Sequence, residues 1–200
     1  MADQEILIKA ILEVVLGQKA LLSYFDWLDN KHLPNKFKEH SVWIDNIFFE
    51  LQGDKLGNEQ KRRKLLRPDA YFGGTYNFIF EFDEVQHFST LRFQTLDKYQ
   101  SYFPLSFSLE DWKSYCKQNS LKADRSFAHG RPRDFNFKGG RMAQRAYFDC
   151  CRDILPPLYG LNPTLRICEF EVADVHINNN EACKKIEQLL KQKLITLISK

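Results

Sequence analysis

The sequence predicts a single α/β domain with helical ends, and three observations carry that prediction. The chain has 200 residues, 44% hydrophobic and 28% charged, enough for one buried core and too apolar for disorder. Two short extended runs meet at Gly73-Gly74 near the middle of the chain, the pattern of an antiparallel hairpin. Helically spaced apolar stripes stand on both sides of it, and another extended run follows at 164–172, as an α/β order requires.

Ile6, Ile8, Ile11, Leu12, Val15, Leu16, Leu21, Leu22 and Phe25 predict helix over 4–28 with a break at Gly17. Pro34 punctuates. Ser41 is placed as the N-cap of a helix over 41–52 with Val42, Trp43, Ile44, Ile47, Phe48 and Leu51 as its apolar face, and Gly53 ends it. The polar stretch 53–64 closes in Lys61-Arg62-Arg63-Lys64. The hairpin follows, with strands at 69–73 and 76–83. Phe80 and Phe82 alternate with Glu81 and Asp83, which puts the rings on one face and the carboxylates on the other.

Helices are predicted at 89–103, ended by Pro104, and at 109–118. The stretch 119–140 is polar, basic and contains Gly and Pro, which reads as a long loop, functional or mobile. A helix at 141–155 stops at Pro156-Pro157. Asn180 caps a last helix with Ile186, Leu189, Leu190, Leu194 and Leu197 in one stripe, a core face with a homodimer contact as the minor alternative. The organisation is one domain over 1–200, with a helical N-terminal part at 1–52, an α/β core at 53–175 and a C-terminal helix at 179–200.

The 29 Lys and Arg against 26 Asp and Glu leave a net charge of +3, which permits a polyanionic partner without demanding one. Residues 111–150 alone hold nine cations against four anions, so the basic excess is local. The first apolar run is interrupted by Lys9 and Glu13 and is neither a signal peptide nor a membrane span. The five cysteines are odd in number, with Cys150 and Cys151 adjacent and no C-x-x-C spacing. That pattern points to reduced thiols in a cytoplasmic protein.

Chemistry concentrates at the hairpin. Glu81 and Asp83 project from one strand face, and pairing across the Gly turn brings Asp69 beside Glu81. Three converging carboxylates suit Mg²⁺, a hard cation that prefers oxygen, with Mn²⁺ as a substitute. Such a site can activate water and neutralise charge on a phosphodiester.

The run Arg67-Pro68-Asp69, a gap, then Phe80-Glu81-Phe82-Asp83-Glu84-Val85-Gln86-His87 resembles the restriction-endonuclease-like PD-(D/E)XK nucleases. It comes closest to the very-short-patch-repair branch, whose second strand reads Glu-x-Asp-Gly-x-x-His; Glu84 stands where Gly is usual. The resemblance implies a mixed β-sheet flanked by helices and a metal-dependent endonuclease acting on nucleic acid, DNA first, through a metal-activated water. Asp69, Glu81 and Asp83 would be catalytic metal ligands, and Gln86 or His87 would position the water.

The family's usual Lys, two residues after the acid, is replaced by Asp83. Lys98 or Arg92 would stand in for it, with Asp45 or Glu50 as a further acid, or Glu84-Val85-Gln86 would serve as a Glu-x-Gln variant. The phosphate-contacting set is Arg63, Lys64, Arg67, Arg92, Arg141, Gln144, Arg145 and Arg152. Arg141, Arg145, Asp149 and Arg152 share one helix stripe, which reads equally as a surface ladder of ion pairs. The alternative function is a catalytically inactive nucleic-acid-binding or assembly module on the same fold.

Overall fold

The computed structural model describes residues 2–32, 38–126 and 128–198. Pro34 and the side chains of Ser41, Leu194 and Leu197 lie outside the described set. Among the described residues, seven α-helices flank one three-stranded sheet. In chain order these are α1 (Ala2–Leu16), α2 (Lys38–Glu50), α3 (Lys55–Gln60), β1 (Ala70–Phe72), β2 (Phe78–Asp83), α4 (Thr90–Asp97), α5 (Leu109–Ser126), α6 (Gly140–Leu158), β3 (Leu165–Cys168) and α7 (Asn180–Ile198). The strands run in the order β1-β2-β3. β2 is antiparallel to β1, with Ala70 opposite Phe80, and parallel to β3, with Glu81 opposite Arg166.

The central strand is buried throughout, so its alternation separates two interiors rather than core from solvent. On one face Phe72, Phe78, Phe80, Phe82, Leu165 and Ile167 pack with Ile8, Ile11 and Leu12 of α1 and Ile186 and Leu190 of α7. Each buried Phe there contributes roughly 1.5–3 kcal/mol of transfer free energy. The C-terminal stripe, as far as it is described, is therefore core. The other face carries Glu81, Asp83 and Arg166 beneath α6. The second apolar cluster lies on that side, built from α2, α4, α5 and α6 around Phe48, Trp112, Phe135 and Tyr147.

Several boundaries depart from expectation for identifiable reasons. Gly17, at φ +60°, closes α1. The Glu13 carboxylate then accepts from the Ala20 N–H at 3.0 Å, and Leu21 exchanges both backbone hydrogen bonds with Tyr71. Residues 18–28 are thus drawn to the edge of β1 instead of continuing the helix. α2 starts at Lys38, before Ser41. In the polar stretch Asp54 caps α3 by accepting from the Gly57 N–H.

The predicted helix 89–103 contracts to α4, capped by Ser89. α5 runs on to Ser126 and absorbs the first part of the presumed loop. The paired prolines sit inside the last turn of α6; the Arg152 carbonyl that Pro156 cannot satisfy accepts from the Thr164 hydroxyl. Asn179 rather than Asn180 caps α7, accepting from the Ala182 N–H at 2.8 Å. The described cysteines form no disulfide; four are buried and Cys183 is half-buried. No described helix is long and apolar enough to cross a membrane.

His32 is locked between α2 and α6. It lies flat on Phe48 at 4.0 Å, with Nδ1 2.7 Å from the Tyr147 hydroxyl and Nε2 3.0 Å from Asp45 Oδ1. Burial, aided by Lys61 and Lys55, pushes its pKa down from 6.5 to about 4. The unfolded chain therefore binds the extra proton first, and the stability this residue contributes at pH 7 is lost as pH falls from 6.5 toward 4. Linkage gives about 2 kcal/mol between pH 7 and pH 5. Urea denaturation at the two pH values should show wild type losing about that much more than His32→Phe; equal losses would refute it.

Candidate metal and phosphate site

A cavity of about 250 Å³ opens at the hairpin. Asp69 stands immediately before β1, one position beyond the Ala70–Phe80 pair, which places it across from Glu81. Its Oδ2 accepts from the Phe82 N–H at 2.8 Å, fixing the carboxylate at the cavity. Glu81 contributes from β2, Glu5 from α1, and Glu84 and His87 from the turn after β2. The opposite wall is α6, whose Arg141, Arg145, Asp149 and Arg152 all line the space. Their spacing of four, four and three residues keeps them on one helical face.

The acids are held under tension. Burial, then the neighbouring Asp69, pushes the Glu81 carboxyl well above its usual range against the opposing pull of Arg152. Asp69 is raised chiefly by burial as well, and Glu5 by burial and Asp69. Arg152 Nε lies 2.9 Å from Glu81 Oε1. The two atoms are not aligned as a hydrogen bond, and neither finds another partner among the described residues. The contact is a close ion pair without a directed hydrogen bond, and it leaves both buried atoms short of a full set of partners.

Asp83 departs from the expected ligand set. Its Oδ2 accepts from Trp112 Nε1 at 2.9 Å and its Oδ1 from Arg166 Nη1 at 2.5 Å, inside the protein and away from the cavity. Arg166 also donates to Asp153 at 2.5 Å and to the Asp149 carbonyl at 3.1 Å. Arg92 and the Tyr99 hydroxyl both donate to the other Asp153 oxygen, at 2.7 and 2.5 Å. The result is a buried network of two guanidiniums and three carboxylates between the sheet and α6, in which Asp149 Oδ1 alone has no hydrogen-bond partner among the described residues and lies 3.7 Å from Arg166 Nη2. Arg92, 1% exposed, is consequently a structural cation and not a phosphate contact.

His87 joins the network to the cavity. Its Nδ1 is 2.9 Å from Asp149 Oδ2, and Arg145 Nη2 faces its Nε2. Arg145 Nε also lies 3.5 Å from His87 Nδ1, so the ring stands between the Arg145 guanidinium and the Asp149 carboxylate. Although burial alone would raise it, His87, Arg166 and Arg92 hold the Asp149 carboxyl well below the usual range.

The remaining expectations divide by position. Gln86 donates to Glu84 and does not line the cavity. Gln144 is buried and donates to Asp134 at 2.7 Å. Arg63 pairs with Asp29 at 2.7 Å and lines a different cavity. Lys64 and Arg67 are exposed. Lys98 caps α4 and pairs with Glu50, while Asp45 faces His32; none of these three reaches Glu81.

Glu5 and Asp149 were missed as site residues, and so was the pairing of Arg152 with Glu81. Glu5 lies 76 residues from Glu81 in the sequence, and no local period connects the two. Among the described residues no three His, Cys, Asp or Glu side chains are gathered closely enough to hold a metal by themselves. Mg²⁺ commonly takes one or two carboxylates and completes its shell with water and phosphate oxygens, so Asp69 and Glu81 fit that donor set. No family model, curated protein or solved structure matches this chain.

Proposed function

We propose that this protein is a Mg²⁺- or Mn²⁺-dependent nuclease, related in fold and motif to the PD-(D/E)XK enzymes, that hydrolyses phosphodiester bonds of DNA. The observation that carries the reading is the meeting of Asp69 and Glu81 with three arginines of α6 in one cavity. Carboxylates alone would suit any divalent cation, and arginines alone any anion. Together they suit a cation and a phosphodiester at once. The order of helix, hairpin, helix and parallel strand supports it, as does the Pro68-Asp69…Glu81 motif.

In this reading Asp69 and Glu81 hold the cation, with Glu5 close by. Held there, a divalent cation would supply charge neutralisation at the phosphate and a more acidic water. Arg141 and Arg145 orient the phosphodiester. His87 would help position the attacking water at the cavity, and Asp149, 2.9 Å from its Nδ1, holds the ring in place. Arg152 provides from α6 the positive charge that the strand lacks where Asp83 replaces Lys.

The same Arg152 favours a second reading. An ion pair on Glu81 is how a site without a cation would neutralise its acid, which fits a binding module that has lost catalysis. Incubation with supercoiled plasmid, linear duplex, and single-stranded DNA and RNA, in Mg²⁺, Mn²⁺ or EDTA, separates the two. Cutting that EDTA abolishes and that Glu81→Gln lacks supports the nuclease. Salt-sensitive binding without cutting, even in Mn²⁺, supports the binding module.

A further inference from the structure

A second cavity, of about 510 Å³, lies beside the first and has no part in the proposed chemistry. Its walls include His32 and Asp45, the half-exposed ring of Phe49, and the cations Lys31, Lys55 and Arg63. Phe49 stands edge-on to both Phe48 and His32, at 5.4 and 6.0 Å. With Asn58 and Glu59 completing the lining, the space combines an aromatic wall with three cations set against two carboxylates.

Its polar edge is unsatisfied. His32, 3% exposed, turns Nε2 toward Asp45 Oδ1 at 3.0 Å, yet the atoms are not aligned and neither has another hydrogen-bond partner among the described residues. Buried polar atoms that line a cavity without partners point to a ligand that supplies them. Lys55 makes no hydrogen bond or ion pair among the described residues, so its charge is available. Lys31 is held by the carbonyls of Asn58 and Glu59, at 2.8 and 2.7 Å, and Arg63 by Asp29; these set the field of the rim rather than reach outward.

The two cavities are joined by a short piece of chain. Arg63 lines this one and Leu66 the other. The segment between them has no helix, so three residues span at most about 11 Å. Lys61 Nζ, two residues before that segment, lies 5.7 Å from the ring centre of Phe148, which lines the carboxylate cavity. Arg62, Lys64 and Arg67 are exposed along the same stretch.

We infer that this cavity takes up a nucleotide unit, its base against Phe49 with a polar edge on Asp45 and His32, and its phosphate toward Lys55. Charge complementarity and the connecting basic segment make the occupant an unstacked nucleotide of the bound strand, and this rests on the nucleic-acid reading above. A free mononucleotide has the same chemistry and is the other source. Aromatic surfaces hold splayed bases in this manner, and a duplex would have to yield the base from its stack.

The test uses a fluorescently labelled single-stranded DNA oligonucleotide in EDTA, with wild type, Phe49→Ala and Lys55→Ala checked for folding by circular dichroism. Phe49→Ala should weaken binding about 5- to 150-fold, the range for removing one base–aromatic stack, and Lys55→Ala should lower the salt dependence. Calorimetry with AMP, GMP, CMP and TMP decides the source. Binding of a mononucleotide that Phe49→Ala abolishes supports the site with a free nucleotide as its occupant. Oligonucleotide binding unchanged in folded Phe49→Ala, with no mononucleotide bound by wild type, overturns the inference even if the plasmid is cut. Phe49-dependent binding with no cutting keeps the inference and removes the nuclease reading.

Discussion

A chain carrying Asp69→Asn is expected to fold as wild type does and to cut nucleic acid at least about 100-fold more slowly in Mg²⁺. The asparagine side-chain oxygen can still accept from the Phe82 N–H, which Asp69 Oδ2 now does at 2.8 Å, so the hairpin keeps its cross-strand tie. What changes is charge. A divalent cation contributes several kcal/mol to charge stabilisation at a phosphodiester, and each 1.36 kcal/mol is tenfold in rate. Removing one of two anionic donors forfeits much of that. Matched denaturation curves and single-turnover cleavage would check both halves, and a folded variant that cuts at the wild-type rate would sink the assignment of Asp69. Glu81→Gln is the stricter companion, because Glu81 is buried and its neutral replacement also releases Arg152 from its 2.9 Å contact.

Arg166→Met should cost about 3–5 kcal/mol of stability, the penalty for leaving buried charges without their partner. Arg166 is fully buried and serves Asp83, Asp153 and the Asp149 carbonyl at once. Methionine fills much of the volume and satisfies none of them. For a chain of this length the loss corresponds to a melting temperature lower by roughly 6–20 °C. The sign of its pH dependence follows from the same contacts. In wild type the Asp149 carboxyl is held low, so its contribution is present above the unfolded carboxylate range and is lost as pH falls through the depressed folded value. Arg166→Met removes part of what holds Asp149 low, so the gap to wild type should be narrower at pH 3 than at pH 7. Urea titrations at both pH values would show it; a loss below 1 kcal/mol would mean the network relaxes around the substitution.

The α/β class, the hairpin with Asp69 beside Glu81, and the single stripe of Arg141, Arg145, Asp149 and Arg152 were legible because each depends on spacing. A two-residue period places Glu81 and Asp83 on one face of any strand, and a 3.6-residue period places the α6 charges on one face of any helix. Composition likewise made the chain one domain's worth of core. Element ends were less legible, because the Leu21–Tyr71 bridge and the α6 prolines depend on partners far along the chain. Tertiary structure alone decided which charges face a cavity and which face each other. Asp83 and Glu81 share a strand face, yet Arg166 on the neighbouring parallel strand claims Asp83 while α1 brings Glu5 toward Asp69. Arg92 and Arg145 look equally free in the sequence; one is buried against Asp153, the other lines the cavity. The physical reason is that a charge's role is set by desolvation and by the groups within a few ångströms, and those neighbours come from segments that no local period connects.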